Sequence, residues 1–182
     1  NLSSCCTELC GKDFTGRSCS KTILVRVYPV NQPEKSLSVY ALIDDQSTHT
    51  LARTELFDAL DIPMSSVTTY SLKSCAGTFQ RSGRQASGLV VESNNGSCRL
   101  LLPRVTECEQ IPEEESEIPT PDIVKFHSHL SGVDIPPLNQ KAQVLLLIGR
   151  DLPEAHHIED QRTGPRGTPF AQKLALGWVL IG

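Results

Sequence analysis

The apolar run Tyr40-Ala41-Leu42-Ile43 stops abruptly at the polar turn Asp44-Asp45-Gln46-Ser47. About a hundred residues later a second run, Val144-Leu145-Leu146-Leu147-Ile148, stops in the same way at Gly149-Arg150-Asp151. A short, continuous apolar run bounded by turn residues is the mark of a strand buried on both faces. Both runs therefore read as buried strands. Each also delivers a carboxylate to the rim of the core. The chain has 182 residues, about one domain, and its 38% hydrophobic content suffices for a core. A domain of this size buries roughly 70% of its unfolded surface.

The other segments read mostly as strands. Ile23 to Tyr28 is rich in β-branched residues, and with Leu37 to Ile43 it forms a hairpin across the turn at Pro29 to Lys35. Ser47 to Thr50 caps a helix over Leu51 to Leu60, whose apolar residues Leu51, Leu56, Phe57 and Leu60 share a face. Pro63 ends that helix. Val67 to Leu72 is strand-like, and Cys75 to Ser87, with Gly77, Phe79 and Gly83, reads as a mobile hairpin. Gly88 to Glu92 and Cys98 to Leu102 flank Asn94-Asn95-Gly96, a strong hairpin signal. Residues 107–137 are rich in Glu and Pro and read as an acidic surface excursion, with a short helix starting at Pro121. Phe170 to Leu176 reads as a helical turn and Trp178 to Ile181 as a last strand.

Composition excludes several functions. A net charge of −4 argues against direct nucleic-acid binding, which needs a clustered basic face. No apolar stretch approaches the ~20 residues of a membrane span. The seven cysteines are odd in number, and Cys5, Cys6, Cys10 and Cys19 crowd one end, so reduced thiols in the cytoplasm are expected rather than a secreted disulfide framework. Their spacing does not suit a zinc knuckle. His127, His129, His156 and His157 lack Cys or acidic partners at ligand spacing and read as loop histidines, so neither metal nor cofactor is expected. Ser47 and His49 are too close in sequence for a Ser–His pair, and no Gly-x-Ser-x-Gly elbow exists.

A strand-end aspartate can also serve a paired-carboxylate chemistry. Two carboxylates about 3 Å apart cannot both ionise, so they share a proton. One then activates a water as base while the other, protonated, polarises an amide carbonyl. This chain has one strand-end site of this type and no second copy. A dyad therefore requires two identical chains, with one aspartate from each at a two-fold axis.

Four stretches, in order, resemble the aspartic peptidase domain of Pao/BEL-type LTR retrotransposon polyproteins, within the retropepsin-like superfamily. They are Ala41-Leu42-Ile43-Asp44-Asp45-Gln46-Ser47, the segment Leu51 to Phe57, Leu146-Leu147-Ile148-Gly149-Arg150-Asp151, and Leu176-Gly177-Trp178-Val179-Leu180-Ile181-Gly182. The resemblance implies an all-β fold, a closed β-barrel with one or two short helices and a flap hairpin. It implies a domain over 21–182 with an acidic, Pro-rich insertion at about 107–140, preceded by a Cys-rich arm at 1–20. It makes Asp44 the catalytic residue, places Asp45, Gln46 and Ser47 in the active-site loop, and puts Gly77, Phe79 and Gly83 in the flap. Gly149, Arg150 and Asp151 become structural support, with Arg150-Asp151 pairing acidic groups. The implied activity is hydrolysis of the parent polyprotein by a homodimer. Two positions depart from the family's Asp-Ser/Thr-Gly. Asp45 replaces the hydroxyl that links the subunits, and Gln46 brings a Cβ that is costly wherever φ must be positive. The rival expectation is an inactive module of the same fold, serving dimerisation or peptide binding.

Overall fold

The computed structural model describes residues 18–74 and 76–182. The expected Cys-rich arm, apart from residues 18–20, lies outside the described residues, as does Cys75. The strands and helices, in chain order, are β1 (Thr22–Pro29), β2 (Leu37–Ile43), β3 (Leu51–Ala52), α1 (Thr54–Ala59), β4 (Val67–Ser74), β5 (Gly77–Ala86), β6 (Leu89–Ser93), β7 (Arg99–Leu101), β8 (Val105–Glu107), α2 (Pro121–Phe126), β9 (Val144–Ile148), β10 (Asp160–Arg162), β11 (Phe170–Leu174) and β12 (Gly177–Ile181). The protein is mostly β, with few and short helices.

The two apolar runs are neighbours. β2 pairs antiparallel with β1 and parallel with β9, with Leu42 opposite Leu147 and Ile43 opposite Ile148. A parallel pair cannot be closed by a tight turn and needs a long crossover. Here the crossover is the whole chain between the two runs. Side chains alternate along a strand, and both faces of β1 and β2 are covered. Val25, Val27, Val39, Ala41 and Ile43 enter the main core with Leu56, Phe57, Leu146 and Ile148. Leu24 and Tyr40 face the other way, against Ile118, Ala142 and Val144. Leu42 and Leu147 meet Ile111 there. Burial on both faces is why these strands read as unbroken apolar runs.

The large sheet has nine strands in the order β4-β5-β8-β3-β9-β2-β1-β6-β7, and β10-β11-β12 form a second sheet. The expected closed barrel is not formed. Closure requires the two end strands to pair with each other, and β4 pairs only with β5 while β7 pairs only with β6. β7 is three residues long, and β4 is committed to a projecting hairpin. Two local expectations also change. Leu51 and Ala52 are extended, because they pair with β8 and β9, so the helix begins only at Thr54. Phe170–Leu174 is a strand between β10 and β12, not a helical turn.

The acidic insertion is not simply solvated. Glu113, Glu114 and Glu115 are exposed, but Ile111 and Ile118 close the outer face of the central strands. Further on, Leu130, Val133 and Ile135 are buried with Ala171 and Leu180 of the second sheet. Among the described residues no helix is long and apolar enough to cross a membrane.

Candidate active site

The site loop starts where β2 ends. Asp44 N–H donates to the Ile148 carbonyl at 3.0 Å, so the carboxylate leaves from a position pinned to β9. Its Oδ1 accepts the Gln46 N–H at 2.9 Å. This is an Asx turn, in which a side-chain oxygen replaces a backbone acceptor two residues on. Among the described residues the only non-glycine with positive φ is Asp61. Gln46 therefore turns the chain without left-handed strain, and it supplies the N–H that the loop directs at the carboxylate. Asp45 points outward, its side chain 64% exposed and 3.9 Å from Lys21 Nζ. An exposed ion pair of that kind contributes little to stability. Ser47 Oγ donates to the His49 carbonyl at 2.8 Å.

The loop is clamped from the end of β9. Thr50 is fully buried; its N–H donates to Asp151 Oδ2 at 2.9 Å and its hydroxyl to Asp151 Oδ1 at 2.7 Å. Gly149 N–H in turn donates to Thr50 Oγ1 at 3.2 Å, and Arg150 N–H reaches the Ser47 carbonyl at 2.9 Å. Both Asp151 carboxylate oxygens thus accept from Thr50, which ties the end of β9 to the loop. The Arg150 side chain is exposed and makes no ion pair among the described residues, unlike the acidic pairing expected of it. A ring nitrogen of His156, which sequence reasoning set aside, bonds the Gly149 carbonyl at 2.8 Å.

Gly149 has no room for a side chain, since an added Cβ would lie 2.6 Å from the backbone carbon and oxygen of His49. Gly149→Ala is expected to force the loop off β9 and to destabilise the protein by about 1–3 kcal/mol. Urea unfolding checks this, and an unchanged midpoint would refute the close approach.

The hairpin expected as a flap consists of β4 and β5, in register from Val67 opposite Arg84 to Ser74 opposite Gly77. Gly77 follows the turn with φ +126°. Gly83 serves close approach rather than hinge motion, because a Cβ there would lie 2.5 Å from the Glu107 carbonyl oxygen. Phe79 is partly exposed, with the Arg81 guanidinium 5.3 Å from its ring.

Both arms of the hairpin are tied to Glu107 at the end of β8. Tyr70 of β4 donates its hydroxyl to the Glu107 carbonyl at 2.8 Å. Arg84 of β5, only 4% exposed, donates to the Glu107 carboxylate from Nε at 3.0 Å, from Nη2 at 2.6 Å and from its own backbone N–H at 2.8 Å. The same guanidinium pairs with Asp58 at 2.7 Å, donates to the Ile62 carbonyl at 3.0 Å and lies over the Phe57 ring. Bidentate Arg–carboxylate bonding is strong and directional. The Arg84 hydrogen bonds hold the Glu107 carboxyl down at about 2, outweighing the opposing effect of burial. Burial and the Cys108 thiol push the Tyr70 hydroxyl pKa up, so Tyr70 remains a donor.

Between loop and hairpin lies a cleft of about 830 Å³. Asp44, Gln46 and Ser47 line one side, Tyr70, Leu72, Lys73 and Ser74 the other, with Leu51 and Leu147 between. The flap positions marked from sequence, Gly77, Phe79 and Gly83, belong to the hairpin but do not line this cleft. Of the hairpin, β4 lines it from Tyr70 to Ser74 and β5 contributes Gln85. A second cavity, of about 570 Å³, lies by Cys19, His127 and Pro169, and no Asp or Glu is among its lining residues. Among the described residues no His, Cys, Asp or Glu group is arranged to hold a metal ion.

One chain thus presents one carboxylate to a roofed cleft. A lone carboxylate serves as acid or base in a given step but not as both at once. Set against known proteins, the chain matches no family model, and a search of curated proteins finds no match.

Proposed function

We propose that this chain is a retropepsin-like aspartic endopeptidase of the retrotransposon type, acting as a homodimer on its parent polyprotein in the cytoplasm. One observation carries the reading. Asp44, held by Ile148 and Gln46 at the end of a central strand, opens onto a cleft roofed by a β-hairpin. In the dimer, Asp44 and its symmetry mate share one proton. The ionised carboxylate takes a proton from water as that water attacks the scissile carbonyl, and the protonated one supports the developing oxyanion. An extended substrate lies beneath β4, where backbone and alternating side chains meet it. No metal or cofactor takes part.

A non-catalytic dimerisation or peptide-binding module is the second reading, and Asp45 favours it. At the position of the family's linking hydroxyl stands an exposed carboxylate, which adds charge beside the two-fold axis instead of a hydrogen bond.

The test is cleavage of a peptide library across about pH 4–8, with protein concentration varied. Cleavage that peaks in mild acid, as shared-proton chemistry requires, that a pepstatin-like inhibitor blocks, and whose specific rate rises with concentration as dimers form, is the expected outcome. A flat pH profile sinks the mechanism. A folded dimer that cuts nothing establishes the second reading.

A further inference from the structure

The charge lining the cleft is sparse and split by sign between its two sides. Asp44 and Lys73 are the only formally charged side chains among its lining residues, and His49 completes the strongly polar set with one ring nitrogen 2.8 Å from Thr48 Oγ1. Lys73 sits near the hairpin tip, opposite Thr78, exposed and without an ion pair among the described residues. It lines the cleft from β4, the strand under which a substrate passes. The many glutamates of the insertion do not offset it, because none of them lines the cleft.

In the homodimer this charge is counted twice. Two Lys73 side chains stand over a dyad that, sharing one proton, carries one negative charge. Within the lining, the uncompensated charge is therefore positive and lies on the flap, away from the scissile bond, while the exposed Asp45 pair stands at the axis outside the lining. We propose that the cleft selects polypeptides with Asp or Glu flanking the scissile bond and disfavours Lys and Arg there, with Lys73 as the specificity-determining residue. This rests on the peptidase reading for its dimer. A flap cation in water favours an opposite charge only modestly, so the preference is graded: about threefold for Glu over Gln and about tenfold for Glu over Lys.

The experiment uses matched peptides that differ only by Glu, Gln or Lys at one position beside the scissile bond. Each is given to the wild-type protein and to Lys73→Gln, an exposed site at which circular dichroism confirms folding. Cleavage rates should fall in the order Glu, Gln, Lys for the wild type and level out in Lys73→Gln. Equal rates in the wild type, or an order that survives the substitution, overturn the proposal. If no peptide is cut, the peptidase reading has failed, and fluorescence anisotropy of the same labelled peptides decides this one separately. Binding in the same order, lost in Lys73→Gln, supports it, and binding without order overturns it.

Discussion

Asp44→Asn is expected to abolish peptide cleavage, by about 10⁴-fold, while the protein stays folded. An amide can neither take a proton from water nor share one with its symmetry mate, so base and acid are lost together. The fold does not need the charge. Among the described residues the Asp44 side chain accepts only the Gln46 N–H, and the amide oxygen of asparagine accepts the same bond. The backbone bond from residue 44 to Ile148 is unaffected. Melting within about 2 °C of the wild type is therefore expected, since surface changes away from special features stay within ~0.5 kcal/mol. Assays of both proteins at equal dimer concentration are the check. Retained cleavage would remove Asp44 from the mechanism, and lost folding would show that its carboxylate is structural.

Glu107→Gln is expected to produce the largest loss of stability. Breaking a buried ion pair from one side leaves the other charge uncompensated, at a cost of about 3–5 kcal/mol. Arg84, buried beneath the hairpin, would keep Asp58 and one acceptor on the Gln amide oxygen but lose the charged, bidentate fork, with an amide NH2 set against its guanidinium. The pH dependence follows from the sign of the shift. The Glu107 carboxyl is lowered from 4.5 to about 2. Its contribution is fully present above about pH 4.5 and is lost as pH falls through about 2. A depression of that size corresponds to about 3 kcal/mol. Chemical denaturation at about pH 7, 4.5 and 2 should therefore show the wild type losing stability in acid and Glu107→Gln losing less. Parallel pH dependence in the two proteins would refute the latch. Because its window lies below mild acid, the hairpin base stays tied where the proposed chemistry runs fastest.

Local pattern carried much of this architecture. The unbroken runs at Leu37–Ile43 and Val144–Ile148 announced buried strands, and Asn95-Gly96 announced the β6–β7 hairpin. What stayed hidden depends on distant partners. Leu51 and Ala52 fit a helical face, and only their pairing to β8 and β9 makes them extended. Arg84 has its chief partner 23 residues away, and Glu107 was indistinguishable from the acidic run that follows it. Attention fell instead on Arg150, whose neighbours Gly149 and Asp151 hold the loop while its own side chain faces solvent. A Cβ at Gln46 is costly only in a left-handed turn, and the Asx turn at Asp44 avoids one. The insertion hid its packing role because Ile111 and Ile118 are single apolar residues among glutamates and prolines.

The parallel pairing of β2 with β9 has a consequence for timing. Contacts this far apart in sequence carry a large loop-closure entropy and form late. During synthesis, Asp44 emerges from the ribosome long before Ile148 and Asp151, the residues that position its loop. A nascent polypeptide shorter than that holds the aspartate but not the geometry. The order of the strands thus delays completion of the Asp44 loop until Ile148 and Asp151 have been translated; on the peptidase reading proposed above, cleavage could not begin before then.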